Sequence, residues 1–260
     1  MIPSIRRFCS PLAVGVLMLA GLLMCAVLPC TGADALLVGN LSDNSIKKYD
    51  GGTGAFLGNF VAPGAGSLGT PTYFIFGPDG NLYVSSNNTH NVKRYNGTTG
   101  AYIDDFVQYG SGGVIDPYSL VFGPDGNLYV AAGCCFSGAN AVKRYNGAIG
   151  GFIDDFVPAG SGNLSYPSGL VFGPDHNLYV SALGDQSIKR YSGTTGTYMG
   201  DFVPSGSGGL GTPVSIKFGS DGNLYVSAFK RPCHQTIRWW YRRFHGGLRT
   251  EWGRRIDLAR

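Results

Sequence analysis

One phrase occurs four times in this chain and limits what the chain can fold into. The copies begin at Phe76 (FGPDGNLYVSS), Phe122 (FGPDGNLYVAA), Phe172 (FGPDHNLYVSA) and Phe218 (FGSDGNLYVSA), at spacings of 46, 50 and 46 residues. A second phrase keeps the same period, with copies at Ile46 (IKKYDGGTGAFLGNFV), Val92 (VKRYNGTTGAYIDDFV), Val142 (VKRYNGAIGGFIDDFV) and Ile188 (IKRYSGTTGTYMGDFV). Both phrases therefore belong to one repeating unit.

Within one unit, short runs rich in Val, Ile, Tyr and Phe are separated by clusters of Gly, Asp and Asn, which predicts consecutive short strands. In the copy after Pro117 the strands are SLVFG, NLYVAA, AVKRYN and GFIDDFV. Residues 124–127 (PDGN) form the first turn and 146–150 (NGAIG) the third. Pro presets φ there, Asp and Asn bond the local backbone, and Gly accepts positive φ.

A four-stranded unit repeated about every 46 residues is typical of a β-propeller, in which each blade packs against its two neighbours around a central channel. We therefore predict an all-β propeller over residues 36–229. These residues supply three strands of an opening blade, three fuller blades and two strands of a last one, about four blades in all. We expect this propeller to be incomplete and to leave exposed edge strands.

The GPDGNLYV and IKRY phrases across residues 36–229 resemble those of the NHL-repeat β-propellers. At a greater distance the chain resembles the gluconolactonase-like and virginiamycin B lyase-like propellers. The resemblance implies a fold and an exported, bacterial-type protein. It leaves activity open, because propellers of this kind bind proteins, bind glycans or carry enzyme sites.

Residues 1–35 predict a signal peptide. Arg6 and Arg7 precede an uncharged run over 12–28, and residues 33–35 (ADA) supply a cleavage site, so that the mature chain begins at Leu36. We expect a periplasmic or secreted protein with no membrane span after cleavage. In that oxidising compartment cysteines are able to pair.

Residues 230–260 do not follow the repeat. They hold all three Trp residues, the only Glu, and nine Lys or Arg against two acids, whereas residues 36–229 hold nine against thirteen Asp. Read from the second base of each codon, residues 235–245 permit KRYDGGTGAF, which is the text of the repeat. We therefore hypothesise that a frameshift between about Ala228 and Cys233 truncated the propeller. The alternative is a genuine basic, aromatic tail that binds nucleic acid or an anionic surface; the propeller itself is not expected to bind nucleic acid.

Residues that appear in every unit are expected to serve the fold, and only departures are candidates for function. Lys93-Arg94 and Asp104-Asp105 should face each other on the third and fourth strands, as cross-strand ion pairs on an exposed face. A ring of charge that recruits a ligand is the alternative. The repeated aspartates Asp79, Asp125, Asp175 and Asp221 are expected to be turn residues and not metal ligands.

Catalytic residues are hard to find in this chain. The enzymes that it resembles use acidic metal ligands that typically include Glu, or His and Glu, but Glu251 is the only Glu. The histidines ahead of the tail are His90, in a loop, and His176, which replaces the Gly of a GPDGN turn. We predict no catalytic, cofactor or metal residues, and keep His90 and His176 as candidate ligand-loop residues.

The most individual segment is Gly133-Cys134-Cys135-Phe136, in the loop that lengthens one unit to 50 residues. A bond between Cys134 and Cys135 would be strained and reducible, because adjacent Cα atoms lie only about 3.8 Å apart. Such vicinal disulfides stiffen loops beside ligands in some exported propellers. Two free thiols in a tolerated insertion are the equal alternative; Phe136 is a further candidate ligand residue.

These observations favour an exported, non-catalytic propeller that serves as a binding or surface-interaction module for an unknown protein or glycan, without a cofactor. The loops at 132–140 and 158–165 are where we expect the ligand to be recognised. Two alternatives stay open. One is a metal-dependent enzyme acting on lactones or carbohydrates, and the other is a purely structural repeat protein.

Overall fold

The structure, a computed structural model, describes residues 35–133 and 140–229, together with the backbone of residues 237–242. The described residues form antiparallel sheets joined by turns and three-residue 3-10 segments, without an α-helix. Three sheets have four strands each and two have three. The all-β propeller prediction is thereby confirmed, with five blades complete or partial.

Each complete sheet consists of four consecutive strands in chain order. They are β4 (Pro71–Phe76), β5 (Leu82–Ser86), β6 (Asn91–Tyr95) and β7 (Tyr102–Val107) in the second sheet, β8 (Leu120–Phe122), β9 (Leu128–Ala132), β10 (Ala141–Tyr145) and β11 (Phe152–Val157) in the third, and β12 (Pro167–Phe172), β13 (Leu178–Ala182), β14 (Ser187–Tyr191) and β15 (Tyr198–Val203) in the fourth. The bounds match the four strands predicted for each unit.

The two terminal sheets contain three strands each. They are β1 (Ala35–Asn40), β2 (Ser45–Asp50) and β3 (Phe56–Val61) in the first sheet and β16 (Thr212–Phe218), β17 (Leu224–Phe229) and β18 (Ile237–Arg242) in the fifth. By the repeat, β1 occupies the second-strand position, so the described residues supply no first strand beside it. The fifth sheet has one strand more than the two expected.

β18 does not keep the register of the repeat. Leu178 of the fourth sheet pairs with Tyr191, and the equivalent Leu224 pairs with Arg242. One period of 46 residues after Tyr191 is position 237, so this strand lies five residues later than the repeat requires. The pairing of β18 does not test the reading frame of the gene, so the frameshift hypothesis stays a prediction.

The core lies between the sheets. Side chains alternate along a strand, and the second strands are buried on both faces because a neighbouring sheet covers each of them. In β9, Leu128 and Val130 pack towards the second sheet, whereas Tyr129 and Ala131 pack towards the fourth. Four such clusters join the five sheets in order. The first strands β4, β8, β12 and β16 lie side by side, as expected around a central channel.

The two ends of every sheet carry different connections. One end, here called the turn end, has the short turns between strands one and two and between strands three and four. The other, the loop end, has the longer connections from strand two to strand three and from strand four to the next sheet. Both loops predicted to recognise a ligand, 132–140 and 158–165, start and finish at the loop end.

Candidate functional site

At the turn end, the carboxylate of each repeated turn is used by the turn itself. Asp125 Oδ1 accepts the Asn127 backbone N–H at 3.1 Å, and its Oδ2 accepts the Asn127 amide at 2.8 Å and the Tyr129 hydroxyl at 3.0 Å. The same bonds recur at Asp79, Asp175 and Asp221. These aspartates are turn residues, as predicted.

These hydrogen bonds also set the ionisation of the turn. Burial acts to raise the pKa of Asp125, but the bonds from Asn127 and Tyr129 to the ionised form outweigh it, so the pKa lies below its usual value. Burial raises the pKa of Tyr129 to about 12, so its hydroxyl remains a donor near neutral pH. The carboxylate is therefore held charged as an acceptor.

The basic and acidic residues of strands three and four pair in register, as predicted. Lys93 is opposite Asp105 and Arg94 is opposite Asp104, with Lys93 Nζ 2.7 Å from Asp105 Oδ1. The third sheet repeats the pairs. Lys93 is more buried than expected, because its side chain is only 2% accessible and packs near the Tyr102 ring, whereas the side chain of Asp104 is 42% accessible. These pairs hold the outer hairpin of the blade together.

Cys134, Cys135 and Phe136 lie outside the described residues, but the points where their loop leaves and rejoins the sheet are described. The Gly133 N–H donates to the Ile115 carbonyl at 3.0 Å. The Asn140 side-chain oxygen accepts the Tyr166 N–H at 3.0 Å. The loop therefore starts and ends at the loop end, between the third sheet and the connections on either side of it.

In two other units, the residue equivalent to His90 makes a hydrogen bond that holds the next connection. Asn44 Oδ1 accepts the Thr70 N–H at 2.7 Å, and Asn140 makes the equivalent bond to Tyr166. His90 Nδ1 accepts the Asp116 N–H in the same way, at 3.1 Å. Each bond links a loop of one sheet to the connection that enters the next, so His90 serves the fold as the asparagines do.

This bond also limits the chemistry of His90. A ring nitrogen that accepts a hydrogen bond carries no proton, so Nδ1 is the acceptor of the ring in this arrangement. Asp116 Oδ1 lies 3.3 Å from Nδ1, but the histidine of a catalytic dyad donates its Nδ1 proton to the carboxylate, which a neutral ring in this arrangement does not do.

Around His90, the chain departs from its own repeat several times within a small area. Tyr109 stands where the other units have Pro63, Ala159 and Ser205, and its side chain is 74% exposed, 6.1 Å from His90 between ring centroids. Ile115, also exposed, stands in place of Gly69, Ser165 and Gly211. We call His90, Tyr109, Ile115 and Asp116 the loop-end cluster.

Sequence reasoning singled out only His90 of this cluster. The signal for the others was present, because extending the comparison of units past the FV of strand four exposes each substitution. The structure adds that these substitutions lie together and next to the bonds that anchor the 132–140 loop. Exposed aromatic side chains beside polar groups are a frequent composition of binding surfaces.

His176 lies at the turn end, away from the loop-end cluster. Its φ is 60°, close to the 78° of Gly80 and the 77° of Gly126 at equivalent turns. The turn thus dictates the backbone whichever residue occupies it. The structure does not bring His176 and His90 together.

Two further observations bear on the site. Among residues 35–133 and 140–229, no group of three or more His, Cys, Asp or Glu side chains is close enough to hold a metal ion. Over the same residues, no helix has the length and apolar character needed to cross a bilayer.

Comparisons with known proteins establish the fold and no more than the fold. No protein-family model and no curated protein sequence matches the chain. Its fold is similar to hydrazine synthase of Kuenenia stuttgartiensis, with 18% identity and a TM-score of 0.61 over 86% of this chain and 63% of that one. The chain therefore spans less than two thirds of that protein.

Two other solved structures represent an enzyme and a binding complex. An inactive virginiamycin B lyase of Staphylococcus aureus, solved with quinupristin, gives 17% identity and a TM-score of 0.60 over 86% of this chain and 71% of that one. A chain of a nidogen/laminin complex gives 17% identity and a TM-score of 0.60 over 81% and 72%. At these identities, the likeness places this chain among the β-propellers without selecting either activity.

Proposed function

We propose that this chain is an exported, non-catalytic β-propeller that binds a protein or a glycan through its loop end. The residues that we assign to binding are the loop-end cluster and the adjoining 132–140 loop. Cys134, Cys135 and Phe136 belong to that loop, and we propose that a Cys134–Cys135 bond stiffens it. The leader over residues 1–35 is the basis for proposing export.

The observation that supports binding at this place is the concentration of departures from the repeat. Four units of nearly the same sequence repeat the residues that the fold requires, and the turn-end network recurs in all of them. At the loop end between the second and third sheets, the backbone bonds are retained while the exposed side chains differ. A large exposed Tyr and Ile in that setting add contact area without serving the core.

The repeat supplies a variant that should lose binding without losing the fold. It combines His90→Asn, Tyr109→Ala and Asp116→Thr, each of which restores a residue found at the same position of another unit. We expect the wild-type chain to give hits on glycan and extracellular-protein arrays and the triple variant to lose at least tenfold in affinity for them. His176→Gly, at the turn end, is the matched control and should bind like the wild type.

Three outcomes would replace this proposal. Equal binding by the wild type and the triple variant would move the ligand elsewhere. Turnover of lactones or glycans that a chelator abolishes would favour the metal-dependent enzyme. An absence of hits on both arrays for the natively oxidised chain would favour the structural repeat. N-terminal sequencing of the exported protein tests the leader, and it should begin at Leu36.

A further inference from the structure

In two units, an arginine of the third strand forms two hydrogen bonds to a carboxylate of the fourth strand. On the outer hairpin of the second sheet, Arg94 donates from Nε to Asp104 Oδ1 at 3.1 Å and from Nη2 to Asp104 Oδ2. On the third sheet, Arg144 and Asp154 form the same two bonds. A guanidinium fork that holds both oxygens of one carboxylate is a strong and geometrically selective pair.

The fourth sheet keeps the arginine and lacks the carboxylate. Arg190 pairs across the hairpin with Gly200, at the position where the other two sheets have Asp104 and Asp154. A Cβ placed on Gly200 would have no atom within 4 Å, so the space beside it is unfilled. The carboxylate has therefore been removed without replacement by another side chain.

The arginine itself shows the consequence. Arg190 Nε, the atom equivalent to those that bond Asp104 and Asp154, is buried and has no hydrogen-bond partner among the described residues. Among the described residues no carboxylate pairs with Arg190, and a side-chain hydrogen bond links its guanidinium to Tyr179. A buried donor without an acceptor is unfavourable, so a ligand acceptor that displaces the side chains covering Nε would relieve that cost.

The neighbouring charges limit what that acceptor can be. Lys189 already has two carboxylates, Asp185 at 2.6 Å and Asp201 at 3.0 Å, so it does not call for a further anion. In the first sheet Gly58 is also at the fourth-strand position, but it faces Lys48, which has no planar fork. Among the first four sheets, only the fourth thus has an arginine at this position without a facing carboxylate, and its planar fork fits a planar anion.

We propose that Arg190 binds a carboxylate group of a ligand, in the position that Asp104 and Asp154 occupy in the other blades. The site lies near the turn end of the β14–β15 hairpin, apart from the loop-end cluster. It is a second binding element that does not depend on the function proposed above. The carboxylate comes either from a small organic acid or from an acidic side chain of a partner protein.

The Nε–Hε resonance of Arg190 in the full chain reports on this site directly. Titration with sodium acetate at constant ionic strength, balanced with sodium chloride, should shift this resonance saturably, with a Kd on the order of 10 mM for one forked ion pair. The resonances of Arg94 and Arg144, whose forks are filled, are internal controls and should not move. A blocked glutamate peptide titrated in the same way separates the two sources, because a tenfold tighter Kd than acetate would indicate an acidic protein segment.

Two variants make the test decisive. Gly200→Asp supplies the carboxylate internally and should abolish the acetate response, provided that residue 200 leaves its φ of 123° for the extended conformation of Asp104 and Asp154. Arg190→Gln removes the fork without that backbone demand and should remove the acetate-dependent increase in melting temperature. The proposal is overturned if the Arg190 resonance does not shift, or if Arg94 and Arg144 shift equally.

Discussion

The turn end and the loop end of these blades differ in whether the same side chains recur from one unit to the next. At the turn end, Asp125, Asn127 and Tyr129 form a network that recurs in four units with nearly constant distances. At the loop end, the links between sheets are constant but the side chains that make them change, from Asn44 to His90. Constancy of a side chain therefore marks what the sheet requires, and variation at the loop end is the feature on which the proposed binding site rests.

The largest predicted difference between the turn end and the loop end is the effect of a Tyr→Ala substitution on the free energy of unfolding. Tyr129 is 1% exposed and packs edge-on against Phe156 and Phe172, at centroid distances of 4.9 and 5.1 Å. Tyr129→Ala should lower the free energy of unfolding by about 3–5 kcal/mol, because it leaves a cavity between two sheets. Tyr109→Ala, on the exposed side chain, should change it by less than about 0.5 kcal/mol. Urea denaturation of both variants tests the difference, and equal losses would contradict it.

Acid should destabilise the turn end. The pKa values of Asp79, Asp125 and Asp175 are lowered because hydrogen bonds to the carboxylates outweigh burial, which acts to raise them. With folded pKa values below the unfolded 3.8, this stability is present above about pH 4 and is lost as pH falls through the folded values. The urea midpoint should therefore drop between about pH 5 and pH 2.5. Replacing all three with Asn should flatten that dependence; an unchanged slope would rule out these carboxylates as its cause.

Replacing a single aspartate should lower stability more at the turn end than at the loop end. Asp125→Ala removes the acceptor of three hydrogen bonds and should cost about 1–2 kcal/mol of unfolding free energy. Asp116→Thr should cost less than Asp125→Ala, because the backbone N–H of residue 116 still donates to His90. Thr70 also occupies this position of the first unit at a similar φ, 52° against 49°. Thermal melts at neutral pH compare the two, and a larger loss for Asp116→Thr would reverse the assignment of the ends.

The histidines should give the smallest effects on stability. His176→Gly should stabilise the fold by about 1 kcal/mol, since Gly adopts a φ of 60° without strain. His90→Asn should leave stability unchanged, because Asn44 and Asn140 make the same bond to the next connection. Chemical denaturation resolves both; a destabilised His176→Gly would show that the imidazole contributes to the turn.

The sequence predicts the fold well because every unit repeats the same local signals. The strands of the third unit, the turns at Asp125 and the pairing of Lys93 with Asp105 all follow from alternation and turn chemistry. The burial of Lys93 does not, because it depends on the Tyr102 ring that covers it. Tyr109 and Asp116 were not singled out, since their meaning comes from proximity to His90 across a loop.

The hypothesis of a frameshift after Phe229 has a direct test in the gene. If it holds, the second reading frame continues as IKRY-type and FGPDGNLYV-type phrases in the downstream DNA. If the frame shown is confirmed and nothing similar follows, the basic tail becomes the leading functional candidate.

The near-identity of the interfaces between sheets has a consequence for how the chain reaches its structure. Tyr83, Tyr129 and Tyr179 each pack edge-on between two Phe rings at almost the same distances. A sheet that has formed early thus meets several surfaces that it fits nearly equally well, in its own chain and in a neighbouring one. Correct assembly then depends on the short connections that keep each sheet beside its sequence neighbour. Contacts between sheets of different nascent chains compete with these contacts within one chain.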